Sequence, residues 1–178
     1  FVHSAAELAA AYILWGVAVR TAWLTACDSS GAAHRTVPAG FLATPAQAHR
    51  VDAASWRELQ VMPSSFGFAV VVHPRDGGPA WFVPGPSDQR RIPVDGRVIV
   101  NRTRDGGRTF EALTKGLPQR QAYDITYRHG LDIDSTGDRL VFGTTTGSLW
   151  ISEDQGDSWQ TISEHLPPVY AVRFVQGD

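Results

Sequence analysis

The sequence predicts an all-β fold built from repeated four-stranded antiparallel units. Its 17 glycines and 11 prolines among 178 residues exceed the roughly 12% average for these two residues together. Because both residues favour turns, such a chain is expected to form short strands rather than long helices. From residue 68 onward, apolar and polar residues alternate in short runs, as in half-buried strands. A short pattern also recurs at a period near 50 residues, which indicates a repeat architecture.

The composition excludes several classes of function. The 16 Lys and Arg residues against 18 Asp and Glu residues give a net charge of −2, so no basic excess is available for binding nucleic acid. The single cysteine, Cys27, excludes an intramolecular disulfide and a multi-cysteine zinc site. The sequence contains neither a phosphate-binding glycine loop nor a nucleophile elbow. We therefore expect no cofactor, no metal site and no nucleic-acid partner.

Residues 1–50 differ in composition from the rest of the chain. They contain 14 alanines and only two acidic residues, Glu7 and Asp28. Their apolar run at 8–19 is too short to span a bilayer, so no membrane partner is expected. Two interpretations stay open: a helix over about residues 4–25, or a segment that is not native to the fold. The absence of a recognisable secretory signal and the single free thiol predict a cytoplasmic protein.

An eight-residue pattern organises the remainder, residues 51–178. It reads Ser/Thr-x-Asp-x-Gly-x-Ser/Thr-aromatic, and its two good copies begin 49 residues apart. A decayed third copy covers residues 52–56, and after each copy a Leu-Pro or Met-Pro pair precedes an apolar run. The matched residues are Thr103, Asp105, Gly107, Thr109 and Phe110 in one copy and Ser152, Asp154, Gly156, Ser158 and Trp159 in the other.

The residue types of this pattern suit a tight connection between two antiparallel strands. The aspartate can accept backbone N–H groups across the turn, and the glycine can adopt a positive φ. The final aromatic residue then begins the next strand and is expected to face inward between sheets. A calcium site is the alternative, but one carboxylate per copy is few for an ion with six to eight oxygen ligands. We therefore predict a structural role for the pattern.

Alternation and turn residues predict two complete four-strand units, with one outer strand before them and one inner strand after them. The connection over residues 84–96 is unusually long for such a unit and carries several charged residues. The predicted strands are 68–73, 80–83, 97–103 and 108–113 in the first unit, 122–133, 139–144, 148–152 and 158–163 in the second, and a lone strand at 169–175.

The eight-residue pattern resembles the Asp-box, or BNR repeat, of β-propellers. Such propellers occur in sialidases, xyloglucan-active glycosidases, sortilin-type receptors and photosystem assembly factors, and the chain most resembles bacterial sialidase-like or glycosyl-hydrolase BNR-repeat proteins. The resemblance covers about residues 50–178 and implies a partial β-propeller, because a closed ring needs four to eight blades. It implies the C-terminal part of a larger propeller, whose partners would be the remaining blades or a second copy along exposed strand edges.

The resemblance also implies where a ligand would bind, on the loops opposite the repeat copies. Arg91-Ile92-Pro93 is similar to a sialidase motif in which the arginine pairs with the substrate carboxylate. Its spacing to the next copy is too short for that motif, however, and no pattern identifies the two further arginines. The ligand-face candidates are Asp88, Arg90, Arg91, Asp95, Tyr127, Arg128 and Arg173, and the weaker catalytic candidates are Tyr123, Asp124 and Arg91.

Two functions remain open at this point. One is a binding or scaffold module for a carbohydrate or a protein, which is favoured because no acid–base constellation can be identified. The alternative is a sialidase-like glycoside hydrolase whose catalytic residues lie largely on blades outside this chain.

Overall fold

The computed structural model describes residues 40–43, 48–51 and 56–175, and these residues form an all-β fold. The predicted helix over 4–25 lies outside the described residues, as do residues 52–55 of the third pattern copy. The described part contains eleven strands in three antiparallel sheets. The first sheet has the order β1-β2-β3 and begins before residue 51, with strands β1 (Gly40–Ala43), β2 (Ala48–Val51) and β3 (Trp56–Glu58).

The other two sheets have four strands each and confirm the prediction of four-stranded antiparallel blades. In both, strands adjacent in sequence are adjacent in the sheet. The first blade comprises β4 (Gly67–Val72), β5 (Ala80–Pro84), β6 (Val100–Thr103) and β7 (Glu111–Leu113). The second blade comprises β8 (Leu131–Ile133), β9 (Leu140–Gly143), β10 (Leu149–Ser152) and β11 (Gln160–Ser163).

Two predicted strands are largely irregular in the structure. Of the predicted strand 122–133, only β8 is regular, because backbone groups upstream of it bond to neighbouring loops instead of to an adjacent strand of the blade. The Ala122 N–H donates to the Gly96 carbonyl at 3.0 Å, and the Ile125 carbonyl accepts from the Thr145 N–H at 3.0 Å. The predicted last strand, 169–175, forms only one parallel bridge, between Ala171 and His129.

The core lies between the two blades. Aromatic side chains of the second blade fill the space against the first: the Phe142 ring lies 5.1 Å from that of Trp150 and 4.9 Å from that of Trp159. The inner strand β4 is buried along its whole length, whereas the outer strand β11 is mostly exposed. The buried cluster includes Ala69, Val71, Trp81, Val83, Val100, Leu131, Leu140, Phe142, Trp150 and Trp159.

The first repeat turn, residues 103–110, is held together by the carboxylate of Asp105. Its oxygens accept the Thr109 N–H at 2.9 Å and the Thr109 hydroxyl at 2.7 Å. The Thr103 hydroxyl donates to the same carboxylate and accepts the N–H of Gly107, which has a φ of 81°. These hydrogen bonds, above all those from Thr109, hold the pKa of Asp105 well below its usual value.

The second repeat turn, residues 152–159, repeats this network one blade later. Asp154 accepts the Ser158 N–H at 2.9 Å and the Ser158 hydroxyl at 2.5 Å, while the Ser152 hydroxyl accepts the Gly156 N–H at 2.8 Å. Burial opposes ionisation of Asp154, but the bonds from Ser158 outweigh it and lower the pKa of the carboxyl. Trp159 ends this turn and is buried in the core, whereas Phe110 is only half-buried and packs edge-to-face on Phe82.

A buried arginine joins the first blade to the second repeat turn. Arg102 is 2% exposed, and its guanidinium donates to Glu111 at 2.7 Å and to Asp157 at 2.5 Å. It also donates to the Gln155 carbonyl at 2.7 Å, which accepts the Trp81 indole N–H at 2.7 Å as well. Burial disfavours the charged form, but the two carboxylates outweigh it and raise the pKa of Arg102. Each nitrogen of the buried guanidinium therefore has a hydrogen-bond acceptor, which is the condition under which a buried charge is tolerated.

We expect Asp154→Ala to lower the free energy of unfolding by about 1–3 kcal/mol, because buried or half-buried N–H and O–H groups of the second repeat turn lose their acceptor. Chemical denaturation followed by tryptophan fluorescence measures this change. Glu153→Ala is the matched control, since it removes an exposed carboxylate from the same turn and should change stability by less than about 0.5 kcal/mol. Equal stability of the two variants would contradict the structural role of Asp154.

Acid should destabilise the fold through Asp134. Burial alone would raise the pKa of this carboxyl. Hydrogen bonds from Thr136, Gly137 and Arg139 lower the pKa by a larger amount, so that it falls from 3.8 to about 2. Because the pKa of Asp134 is lower in the folded state than in the unfolded state, its ionised carboxylate stabilises the fold at pH values above about 4. This stabilisation is lost as the pH falls from about 4 to about 2. Urea midpoints measured across this range should therefore decline, and less steeply in Asp134→Asn than in the wild type. Parallel declines would show that Asp134 does not contribute.

Candidate functional site

The antiparallel order of the strands divides the loops between two ends of the blades. The lower end carries both repeat turns, and the upper end carries the long connection between β5 and β6. The lower-end segments are 73–79, 104–110, 134–139 and 153–159, and the upper-end segments are 59–66, 85–99, 114–130, 144–148 and 164–173.

A cavity of about 420 Å³ opens at the upper end. Its walls come from the inner strand β4, the long connection 85–99, the irregular segment before β8 and the tail after β11. Four of the seven predicted ligand-face residues meet there, although they lie up to 40 positions apart in the sequence. The lining residues are Phe68, Asp88, Arg91, Tyr127, Arg128, His129 and Tyr170.

Arg91 holds a fixed position in this cavity. Its guanidinium carbon lies 5.6 Å from the centre of the Phe68 ring and 5.7 Å from that of Tyr127. Its Nε donates to the Asp88 carbonyl and its Nη2 to the Asp88 carboxylate, both at 2.9 Å. The interactions with Tyr127 and then with Asp88 raise the pKa of Arg91 above its usual value. The side chain is therefore a permanent cation that ring faces and one carboxylate keep oriented.

Three aromatic rings form the apolar part of the cavity. Phe68 is buried and packs edge-to-face on Tyr127, with ring centres 5.4 Å apart. The rings of Tyr127 and Tyr170 are nearly parallel, with centres 6.3 Å apart. Tyr170 is 60% exposed, so an aromatic face lies open at the cavity mouth. A ring face beside fixed polar groups is the usual composition of a ligand site.

Backbone hydrogen bonds anchor the two segments that carry Arg91 and Tyr170. The long connection starts with the Gly85 N–H donating to the Phe66 carbonyl at 2.9 Å and ends with Gly96 accepting from Ala122 at 3.0 Å. The tail is held where the Val172 N–H donates to the His129 carbonyl at 2.9 Å. The cavity is thus preformed from segments of both blades.

Three other predicted ligand-face residues lie at the upper end outside the cavity lining. Arg90 is exposed, and Asp95 pairs with Arg97 at 3.4 Å. The Arg173 guanidinium donates to the carbonyls of His129 and Val172. These three residues shape the surroundings of the cavity rather than its walls.

The two remaining catalytic candidates also lie outside the cavity lining. Tyr123 is 67% exposed. The Asp124 carboxylate accepts the hydroxyl of Thr144 at 3.1 Å and that of Thr146. A catalytic role for either residue stays a prediction.

Three lining residues lie outside the predicted ligand-face set, namely Phe68, His129 and Tyr170, and the sequence held a signal for Phe68 and Tyr170. Both are aromatic residues at or near the start of predicted strands, 68–73 and 169–175, each of which follows a Met-Pro or Leu-Pro pair. The recurrence of an aromatic residue a few positions after these pairs could have indicated a shared role for Phe68 and Tyr170. Both residues were included only in predicted strands, where aromatic side chains usually pack in the core.

Within residues 40–43, 48–51 and 56–175, no cluster of three or more His, Cys, Asp or Glu side chains could hold a metal ion. The same part of the chain contains no helix long and apolar enough to cross a membrane.

Comparison with known proteins shows the fold but no family. No family model and no curated protein matches the chain. Among solved structures, the chain is similar to the GH74 enzyme of Niastella koreensis, with a TM-score of 0.57 and 18% identity over 75% of this chain and 21% of that one. It is also similar to the GH74 xyloglucanase of Xanthomonas campestris, with a TM-score of 0.52 and 26% identity over 71% of this chain and 19% of that one.

A third similar structure is YCF48 bound to a D1 peptide, with a TM-score of 0.47 and 16% identity over 74% of this chain and 38% of that one. The chain spans about a fifth of the length of the two GH74 proteins. The GH74 proteins are β-propellers, and the described sheets are blades of the same kind. The fold is therefore a partial β-propeller.

Proposed function

We propose that this chain is part of an Asp-box β-propeller and serves as a binding module through the upper-end cavity. The observation that carries the proposal is the cavity itself, where aromatic rings, Arg91 and Asp88 converge from two blades. Its side chains are oriented before any ligand arrives, which reduces the entropy lost on binding.

The assignment of the repeat turns as Asp-boxes is supported by their matched hydrogen-bond networks. In both, the aspartate binds the N–H and hydroxyl of the residue four positions later. Because these carboxylates are occupied by their own turns, they are unsuited to bind a ligand. This leaves the opposite end of the blades for recognition.

A larger propeller is the proposed setting of these blades. The chain covers only 21% and 19% of the two GH74 proteins, and Ile162 on the outer strand β11 is 53% exposed. Residues 51–178 would then belong to the propeller, with further blades as its structural partners.

The second candidate function is a glycoside hydrolase, and the likeness to two GH74 structures favours it. Glycoside hydrolases generally need two carboxylates flanking the scissile bond. The cavity has one carboxylate in its lining, Asp88, and it already pairs with Arg91. The hydrolase proposal therefore requires catalytic residues on blades outside this chain, whereas the binding proposal uses residues that the described cavity contains.

Isothermal titration of the 178-residue chain tests the binding proposal with three defined probes: xyloglucan oligosaccharides, sialyllactose and an acidic peptide. At least one probe should bind, and Tyr170→Ala should weaken that binding about tenfold by removing the open ring face. Ile162→Ala is the control, because it removes an exposed apolar side chain of the outer strand β11 that does not line the cavity.

Absence of binding by all three probes, or equal weakening in both variants, would overturn the proposal. A reducing-sugar assay on the same preparation addresses the alternative. Hydrolysis of xyloglucan or release of sialic acid by this chain would make it an enzyme rather than a binding module.

A further inference from the structure

We infer that the upper end of the blades docks an acidic polypeptide segment, which places one large apolar side chain in the cavity and its carboxylates on the surrounding arginines. This inference rests on the proposed binding function and names its ligand.

Charge is divided between the two ends of the blades. The upper-end segments carry seven cationic side chains against four carboxylates, whereas the lower-end segments carry four against seven. The upper-end charges are Arg90, Arg91, Arg97, Lys115, Arg120, Arg128 and Arg173 against Asp88, Asp95, Asp124 and Glu164. The lower-end charges are Arg75, Arg104, Arg108 and Arg139 against Asp76, Asp105, Asp134, Asp138, Glu153, Asp154 and Asp157.

This division creates a field that a partner can sense. A four-residue strand separates the ends by about 13 Å, which exceeds the Debye length of about 8 Å at physiological ionic strength. The positive potential near the upper end is therefore not cancelled by the carboxylates of the lower end, although the whole chain has a net charge of −2. A partner that approaches the upper end gains if it is anionic.

Exposed apolar side chains are concentrated at the same end. Met62, Tyr123, Leu166 and Tyr170 lie in upper-end segments and are 81%, 67%, 39% and 60% exposed. Of the two other large exposed apolar residues among the described positions, Ile162 lies in strand β11 and Val175 lies in the tail next to Phe174, whose ring contacts Arg139. Apolar groups and arginines together on one surface are typical of protein interfaces, where Tyr and Arg contribute most of the binding energy.

The cavity fits the anchor of such a segment. The open face of Tyr170 lies at its mouth, so an aromatic or long aliphatic side chain would pack on a ring face beside the Arg91 guanidinium, which itself covers the Phe68 ring. The Arg91 guanidinium directs two of its five N–H donors at Asp88. A carboxylate next to the inserted side chain would meet a guanidinium that is already oriented.

A polypeptide satisfies both features better than a glycan or a nucleic acid. Four exposed apolar side chains at one end favour a ligand that has several apolar groups. A neutral glycan carries no negative charge that could pair with the excess of cationic side chains. A nucleic acid docked at the upper end would be screened from the seven carboxylates of the lower end, because about 13 Å separates the two ends. It lacks aliphatic groups, however, to cover Met62 and Leu166.

The test uses three synthetic octapeptides and the 178-residue chain. The first has the sequence Asp-Glu-Asp-Phe-Glu-Asp-Glu-Gly with both termini blocked, the second replaces every acid by its amide, and the third replaces Phe by Ser. Fluorescence anisotropy should show binding of the first, with at least tenfold weaker binding of the other two. The affinity for the first should fall several-fold between 50 and 300 mM NaCl, because the attraction is screened.

Matched charge reversals separate docking from a general effect of charge. Arg90→Glu changes an exposed upper-end cation, and Arg108→Glu makes the same change at the lower end. We expect Arg90→Glu to weaken binding of the first peptide at least fivefold and Arg108→Glu to leave it unchanged. Near-UV circular dichroism of the buried tryptophans verifies that both variants are folded.

Several results would overturn the inference. Equal weakening by the two reversals would show a nonspecific charge effect, and equal binding of the amide peptide would remove the acidic requirement. Concentration-dependent self-association that Arg90→Glu abolishes would identify a second copy of this chain as the occupant. Binding of xyloglucan oligosaccharides or sialyllactose that depends on Tyr170, with no binding of the acidic peptide, would reject the polypeptide ligand but leave the proposed binding function intact.

Discussion

The second blade is held against the first by the carbonyl of Gln155, which accepts hydrogen bonds from the buried Arg102 guanidinium and the Trp81 indole. The next residue, Gly156, has a φ of 92° and lies so close to the first blade that an added Cβ would be 2.7 Å from the Leu113 Cδ1 atom. Since the donors are buried, any shift of this turn would leave polar groups unpaired, which is costly. The core between the blades and the cavity above it both depend on this alignment.

The two ends of the blades use their polar residues differently. At the lower end, Asp105, Asp154 and Asp134 accept hydrogen bonds from their own turns, which stabilises the hairpins and lowers the pKa of each carboxyl. At the upper end, backbone hydrogen bonds tie down the long loops, and several of their apolar side chains, including Tyr123, Leu166 and Tyr170, are exposed. Loops positioned by a rigid scaffold commonly carry function, and the upper end is where we propose that recognition occurs.

Sequence reasoning succeeded where the governing contacts are local. The hydrogen bonds of each repeat turn join residues within one eight-residue segment. The residue types and spacing of these segments therefore predicted both the turns and the four-stranded blades. It failed over residues 122–130 and 169–175, which have strand-like alternation but bond to loops of other segments. Alternation reports which faces are buried, and it does not report which backbone groups are available to pair.

The amino-acid sequence by itself determined the all-β repeat architecture, the period of the blades and the chemistry of the repeat turns, because these follow from interactions between near neighbours in the chain. Only the tertiary structure decided which side chains form the cavity, since Phe68, Arg91, Tyr127 and Tyr170 lie far apart in the sequence and meet through the packing of two blades and the tail. The division of charge between the two ends likewise arises from strand direction, which assigns each loop to one end only after the sheets have formed.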